Sequence, residues 1–413
     1  MKTYLLIIFF VYLFIMIFSY WLKALNLRHL KKHGATVPPE FKGHINAELL
    51  KKTSDYTVEN SRFAFVKSVF DNIILILFLF AGLLNVYNSW ILSLDWNFIL
   101  SGLAFFLFLT YAETVISIPF SLYSTFNIEN KYGFNTVTPR LWATDFLKSI
   151  AITSIIAGIL ISVGLWLVNS SPDYWWLWIW GFFLAFSLFI MYISPYIIEP
   201  LFNKFTPIDD EALEERIRAL AEKVGIKVSR IFKIDASKRS RHTNAYFTGI
   251  GRVKRIILYD TLLEKLDNDE VIAVLAHELG HWKKKHVLKR IVVSEVVAFV
   301  SLYISFKIIQ TDFLLRLFSV ESGSFFAKVV VLGFLGSIAA FFIGPISSYF
   351  SRRHEREADR FACELTGSPG SMAGSLIKLS KDNLSNLHPH PLYAAIYYSH
   401  PPVVQRIREI RKS

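Results

Sequence analysis

The sequence holds a single cysteine, Cys363, which excludes an internal disulfide framework. No thiolate-activating motif surrounds it, so it reads as a small packed residue rather than a nucleophile. Charge is also scarce. Asp, Glu, Lys and Arg make up 19% of the chain, against roughly a quarter in soluble proteins. No internal repeat or low-complexity linker is apparent, which argues against a solenoid or a string of tethered modules. Basic residues are missing altogether from two short stretches, Asn88–Asn97 and Val168–Tyr174, and that absence bears on orientation below.

What fills the 413 residues is apolar: 53% hydrophobic, 16% aromatic with 37 Phe, and a mean hydropathy of +0.39. This is the composition of a polytopic membrane protein with a sizeable polar part. A net charge of +12 raises the question of nucleic acid, but basic cytoplasmic loops account for it, and no nucleic-acid partner is expected. A crossing needs about 17–25 apolar residues. Seven runs qualify: Tyr4–Leu22, Phe65–Tyr87, Phe98–Phe120, Ala143–Leu167, Trp175–Ile193, Ile291–Ile309 and Phe326–Tyr349. The first has no small-residue cleavage site after it and reads as an uncleaved anchor.

Lys and Arg crowd the loop Lys23–Ala64, the long segment Asn203–Arg290 and the tail from Arg352, whereas only Lys2, Lys307, Arg316 and Lys328, of 45 basic residues, fall on the other side. The positive-inside rule then places the N-terminus outside and both large polar segments in the cytoplasm. Asp71, Glu113, Asp145 and Glu295 lie within the spans and should face a bundle interior or a watery cavity; for Asp71 and Asp145, near helix ends, an interfacial position is equally open.

The polar segment between spans five and six has its own pattern. Helical spacing runs through Pro207–Gly225; "SRIFKIDAS" and "NAYFTGIGRVKRIILYD" look like strands, the latter a hairpin turning near Gly249-Ile250-Gly251. A helix follows with Asp267 or Asn268 as N-cap, and it carries "HELGH". His277 and His281, one turn apart, share a face and can hold one tetrahedral ion. Glu278 is rotated by about 100° from His277, beside the ion rather than on it. Alone, the string also fits two surface histidines with a solvated glutamate, so a third ligand must decide. The best candidate is in "SRRHEREADRFA", Ser351–Ala362. Glu355 and Asp359 are i, i+4: Glu355 as third ligand, Asp359 as the acid that orients a ligating imidazole. Glu357 points away, as a solvated or ion-paired carboxylate; His354 is off this face and His286 too far past the motif to be ligands. Two spans separate the motifs, so both lie on one side of the membrane.

With these residues in hand, the chain resembles the CAAX prenyl protease 1 (a-factor-converting enzyme) family of integral-membrane zinc metallopeptidases. "HELGHW", "SRRHEREAD", "NAYFTGIGRVKRIILYDTLL" and "YYSHPPVVQRI" are similar to its motifs, and "IENKYGFNTVTPRLWATDFLK" and "IEPLFNKFTP" more weakly so. The resemblance implies a mainly α polytopic membrane protein whose seven helices enclose a water-filled chamber, with a cytoplasmic zincin-like portion carrying a small β-hairpin or sheet. It implies one zinc ion on His277, His281 and Glu355, Glu278 as catalytic glutamate and Asp359 as supporting acid. It also implies Asn244 beside a substrate-binding edge strand, and His400 and Arg406 near the substrate. On its own, His400 reads as a turn residue before Pro401-Pro402, as do His388 and His390.

The expected layout is one catalytic unit in four stretches: 1–199 with five spans, 200–290 with the zinc motif, 291–350 with two spans, and 351–413 with the third ligand. The expected partners are the bilayer and a peptide or protein substrate, prenylated or membrane-tethered. The ending "IREIRKS" lacks a dilysine signal, and the chain is compact; both favour a bacterial plasma membrane over the endoplasmic reticulum of a eukaryote. Removal of the aaX tripeptide from prenylated CaaX proteins is the activity the resemblance implies. Its rival is quality control of damaged membrane proteins. A site-2-type intramembrane protease would need its motif in an apolar span, which "HWKKKH" is not. A transporter or scaffold with a vestigial zinc site is the non-enzymatic alternative.

Overall fold

The computed structural model describes residues 2–248, 253–311, 313–318, 320 and 324–412. Seven helices are long and apolar enough to cross a membrane, and they coincide with the seven expected runs. Hydropathy located them but not their ends. The first helix runs over Lys2–His33, well past Leu22, because Leu22, Asn26 and Leu30 continue a buried stripe; Lys31, Lys32 and His33 then complement the negative helix end. The second covers Ala47–Phe80 and stops short of the expected Tyr87. Gly82, at φ +86°, breaks it, and Leu83–Leu92 forms a separate short helix across the end of the expected run and the start of the stretch Asn88–Asn97.

The seventh helix departs most. It spans Phe325–Thr366, 42 residues, or about 63 Å at 1.5 Å per residue. That is roughly twice the ~30 Å hydrocarbon core. Its outer half stays helical because Glu355, Ala358, Asp359, Ala362 and Cys363 form a buried stripe. It ends on Gly367, which adopts the left-handed conformation of a helix C-cap.

A mixed four-stranded sheet lies in the polar segment: β1 (Phe205–Pro207), β2 (Lys227–Ile234), β3 (Ala245–Thr248) and β4 (Val253–Tyr259), in the order β1-β2-β4-β3. β3 and β4 pair antiparallel, Ala245 opposite Leu258 and Thr248 opposite Arg255, so the hairpin is real; its turn near Gly249-Ile250-Gly251 lies outside the described residues. β2 and β4 are parallel, and the central strand β4 buries Ile256, Ile257 and Leu258 completely. The helix expected over Pro207–Gly225 occupies Glu211–Lys223, capped by the Asp210 carboxylate.

Two cores sit at opposite ends of the spans. One joins the sheet and its helices to Phe41, in the turn before the second span, and to Leu50 at that span's base. The other gathers Leu79, Leu84, Ile91, Phe105, Leu165, Leu315 and Phe326 around the short helix and the 313–320 connection. Between them the spans are thinly packed: no more than 22% of any apolar window is buried. Phe65, Val66, Ile73, Val115, Leu147 and Ile155 are all exposed at mid-span.

Of the four ionisable residues expected within the spans, Asp71 and Asp145 are ion-paired. Asp145 accepts two hydrogen bonds from Arg239 at 2.7 and 3.1 Å, tying the fourth span to the polar segment, and Lys67 pairs with Asp71 at 2.7 Å.

Candidate active site

The helix Asn268–Lys283 carries the histidine pair. Its start is set by a reciprocal capping box: Asp267 accepts from the Glu270 amide at 3.0 Å while Glu270 accepts from the Asp267 amide at 3.1 Å. Lys378 holds the Glu270 carboxylate at 2.6 Å. Val271, Leu275, Ala276 and Leu279 anchor the helix in the core, which turns His277 and His281 toward the seventh helix. The two helices touch at Gly280. A Cβ there would stand 3.1 Å from Ala358 Cα, so a small residue at this point brings the donors within reach.

Three side chains converge. His277 Nε2 and His281 Nε2 are 3.2 Å apart; Glu355 Oε2 lies 3.4 Å from His277 Nε2 and its Oε1 3.3 Å from His281 Nε2. Among the described residues this is the one group placed to hold a metal ion. The spacing tests the fit of zinc directly: for bonds near 2.0–2.1 Å, tetrahedral ligands stand about 3.3 Å from one another. Two imidazoles and one carboxylate at that spacing form one face of such a tetrahedron, and the zinc fits.

Behind this face the imidazoles are braced. His277 Nδ1 is 2.8 Å from Asp359 Oδ1. Arg406 grips the same carboxylate with two hydrogen bonds, 2.8 and 2.6 Å, and its third nitrogen lies 3.9 Å from Glu355. Arg406 thus stands behind Asp359, largely buried, on the helix Val403–Ile410 that packs Ile407 and Ile410 into the core. Burial is the largest influence on His277 and opposes its charged form, yet the Asp359 and Glu355 carboxylates outweigh it and push its pKa up to about 9. A pocket that favours positive charge so strongly suits a cation. Burial also works first against the Arg406 charge, and Asp359 overcomes it.

Glu278 is partly exposed, beside the converging atoms but not among them, and near enough to Arg406 to stabilise its charge. His400 is 62% exposed and reaches in with Nδ1 2.8 Å from Glu355 Oε2, so it belongs to the cluster and is more than a turn residue. His390 does cap a short helix, accepting from the Leu392 amide. Asn244 opens β3, its side-chain oxygen accepting from the Ala245 amide and its carbonyl from the Tyr259 amide. β3 is an edge strand, and Tyr246 fastens it to the fifth span by donating to Glu199 at 2.6 Å.

His286 was missed. It is outside the converging trio, as expected, yet it is not remote: its Nδ1 is 3.1 Å from His281 Nδ1 and its Nε2 3.1 Å from Glu357. The chain turns sharply at Lys285, φ +56°, folding the next helix back over the site. No signal in "WKKKH" announces a left-handed lysine. Glu357 is ion-paired, as expected, to Arg353, and it also accepts a hydrogen bond from His286 Nε2.

Residues 207–413 match the sequence profile described as peptidase family M48, and residues 26–204 match that described as CAAX prenyl protease N-terminal, five membrane helices. The chain is 34% identical over 404 residues to the CAAX prenyl protease 1 homolog of Arabidopsis thaliana, covering 95% of this chain and 94% of that one. It is 32% identical over 414 residues to CAAX prenyl protease 1 of Saccharomyces cerevisiae, covering 93% and 90%. The crystal structure of S. mikatae Ste24p superposes with a TM-score of 0.91 at 30% identity, covering 98% of both chains.

Proposed function

Because the chain belongs to the CAAX prenyl protease 1 family of M48 peptidases, and is therefore a membrane-embedded zinc endopeptidase, we propose that it removes the C-terminal tripeptide from prenylated CaaX substrates on the cytoplasmic face of its membrane. The observation that carries this reading is the edge strand β3, which packs against the helix bearing the histidine pair, in a chain similar over nearly its whole length to CAAX prenyl protease 1. A lipid-modified peptide has a backbone that can pair with the edge strand and an apolar group that can rest on the thinly packed apolar spans.

In this reading His277, His281 and Glu355 hold the zinc. When bound, the ion supplies Lewis acidity that polarises the scissile carbonyl and lowers the pKa of water. The Glu278 carboxylate accepts the proton of the attacking water and returns it to the leaving amine. Asp359 fixes the ring of His277 through Nδ1, and Arg406 fixes Asp359. His400 in its imidazolium form donates from Nδ1 to Glu355 and from Nε2 to the oxyanion that develops on the substrate. The peptide adds to β3 by main-chain hydrogen bonds, with Asn244 at the start of the strand.

One CaaX-type peptide assayed with and without its farnesyl chain tests the substrate class. The farnesylated form should be cut beside the modified cysteine and the bare one much more slowly. Equal rates for both, with efficient cutting of unfolded membrane-protein segments at many sites, would support quality control instead.

Sidedness is tested separately, in a Cys363→Ser background. Cysteines introduced at Ser170 and Asp173, both exposed in the turn after the fourth span, should react with an impermeant thiol reagent applied outside. One at exposed Glu215 should not, because Asn203–Arg290 carries the basic residues that remain inside. Labelling of Glu215 from outside would reverse the assigned orientation.

A further inference from the structure

We propose that His286 and Glu357 form a positioning relay that aims His281 at the metal, a role that rests on His281 being a ligand. The relay is built as a chain of contacts: His281 Nδ1 to His286 Nδ1 at 3.1 Å, His286 Nε2 to Glu357 Oε2 at 3.1 Å, and Arg353 Nε to Glu357 Oε1 at 3.1 Å. His286 is 1% exposed. His354 stacks on its ring, centroids 4.1 Å apart and planes 10° from parallel, so the plane and tilt of His286 are held.

The chemistry of each contact fixes the direction of the chain. Two imidazole Nδ1 atoms facing each other make a hydrogen bond only if one donates and the other accepts. Ionised Glu357 only accepts, so His286 carries its proton on Nε2. In neutral His286, Nδ1 is then a lone pair, and His281 must donate from Nδ1. That leaves His281 Nε2 as the free lone pair, and Nε2 is the atom 3.2 Å from His277 and 3.3 Å from Glu355. The reverse arrangement would turn an N–H toward the metal position and spoil the ligand. Glu357, one ring removed from the ion, selects the tautomer that can bind it.

Each ligating imidazole then has its own acid-tipped brace from the seventh helix. Asp359 reaches His277 directly. Glu357 points away from the Glu355–Asp359 face and has no direct path to His281, so His286 bridges the gap. The left-handed turn at Lys285 puts it there.

The test measures zinc affinity of the detergent-purified full chain by chelator competition, alongside thermal melting without metal. His286→Phe keeps the ring and its stacking but has no nitrogen. It should weaken zinc binding about 10–100-fold, the usual cost of losing such a partner, and leave metal-free melting unchanged. His286→Asn gives up the ring but places an amide oxygen near Nδ1, and should hold zinc close to the wild-type value. A purely structural role predicts the opposite ranking, Phe above Asn, and that result overturns the relay. Should the Phe variant fold poorly, Glu357→Leu reads the relay from its outer end and should weaken zinc in the same direction; unchanged affinity there also overturns it. His281→Ala separates the two readings. Lost zinc in His281→Ala with full affinity in His286→Phe defeats the relay alone, whereas full affinity in His281→Ala defeats the ligand assignment and the relay with it.

Discussion

Glu278→Gln should keep its zinc and lose peptide cleavage by about 10²–10⁴-fold, the contribution of a positioned acid–base group. The substitution preserves shape, so the Asn268–Lys283 helix and its contact with the seventh helix are undisturbed. The three donors grouped to hold a metal come from His277, His281 and Glu355, so the substitution removes none of them. What disappears is a carboxylate able to take a proton from water and deliver it to an amine, which a neutral amide does not do. The nearby Arg406 charge is too firmly held by Asp359 to move into the gap. Metal analysis and turnover on the same preparation decide the matter: full zinc with wild-type turnover would refute the assigned base.

Glu355→Ala should show the reverse pattern, with zinc itself lost. The substitution deletes the only carboxylate among the three converging donors and leaves two imidazoles on one helix. Zinc affinity should fall by more than the roughly 10–100-fold that loss of an outer hydrogen-bonding partner costs, because a bond to the ion disappears. The vacated space also frees His400, whose Nδ1 contact is with Glu355. Inductively coupled plasma analysis after dialysis should find little zinc in this variant and near-full zinc in Glu278→Gln. Equal occupancy in the two would mean that Glu355 is not a ligand.

Much of this was legible in the sequence for identifiable reasons. Span number and placement followed from hydropathy, since a bilayer imposes a minimum apolar length. The metal trio followed from helical spacing: i, i+4 puts His277 over His281 and Glu355 over Asp359 whatever surrounds them. The Asp267 cap was legible because its chemistry is local. What stayed hidden depended on tertiary contact or on a single backbone angle. Helix ends were missed at His33 and Thr366 because buried stripes on otherwise polar turns carry the helix onward, and burial is set by distant partners. The break at Gly82 lies inside an apolar run that a hydropathy window averages away. His286 was set aside because an uninterrupted helix would carry it off the site, and one lysine in the left-handed region reverses that. Arg406 as the grip on Asp359 needed the C-terminal helix in place before it could be seen.

The path of the chain between the two metal-binding motifs also has a consequence for the protein's birth. His277 and His281 leave the ribosome ahead of the sixth and seventh spans, and Glu355 follows them; N-terminal parts fold first during synthesis. Until that pair of helices has entered the bilayer and returned, the histidines have no carboxylate partner, and Arg406 emerges later still. The three side chains grouped to hold a metal therefore come together only after both intervening helices have been made.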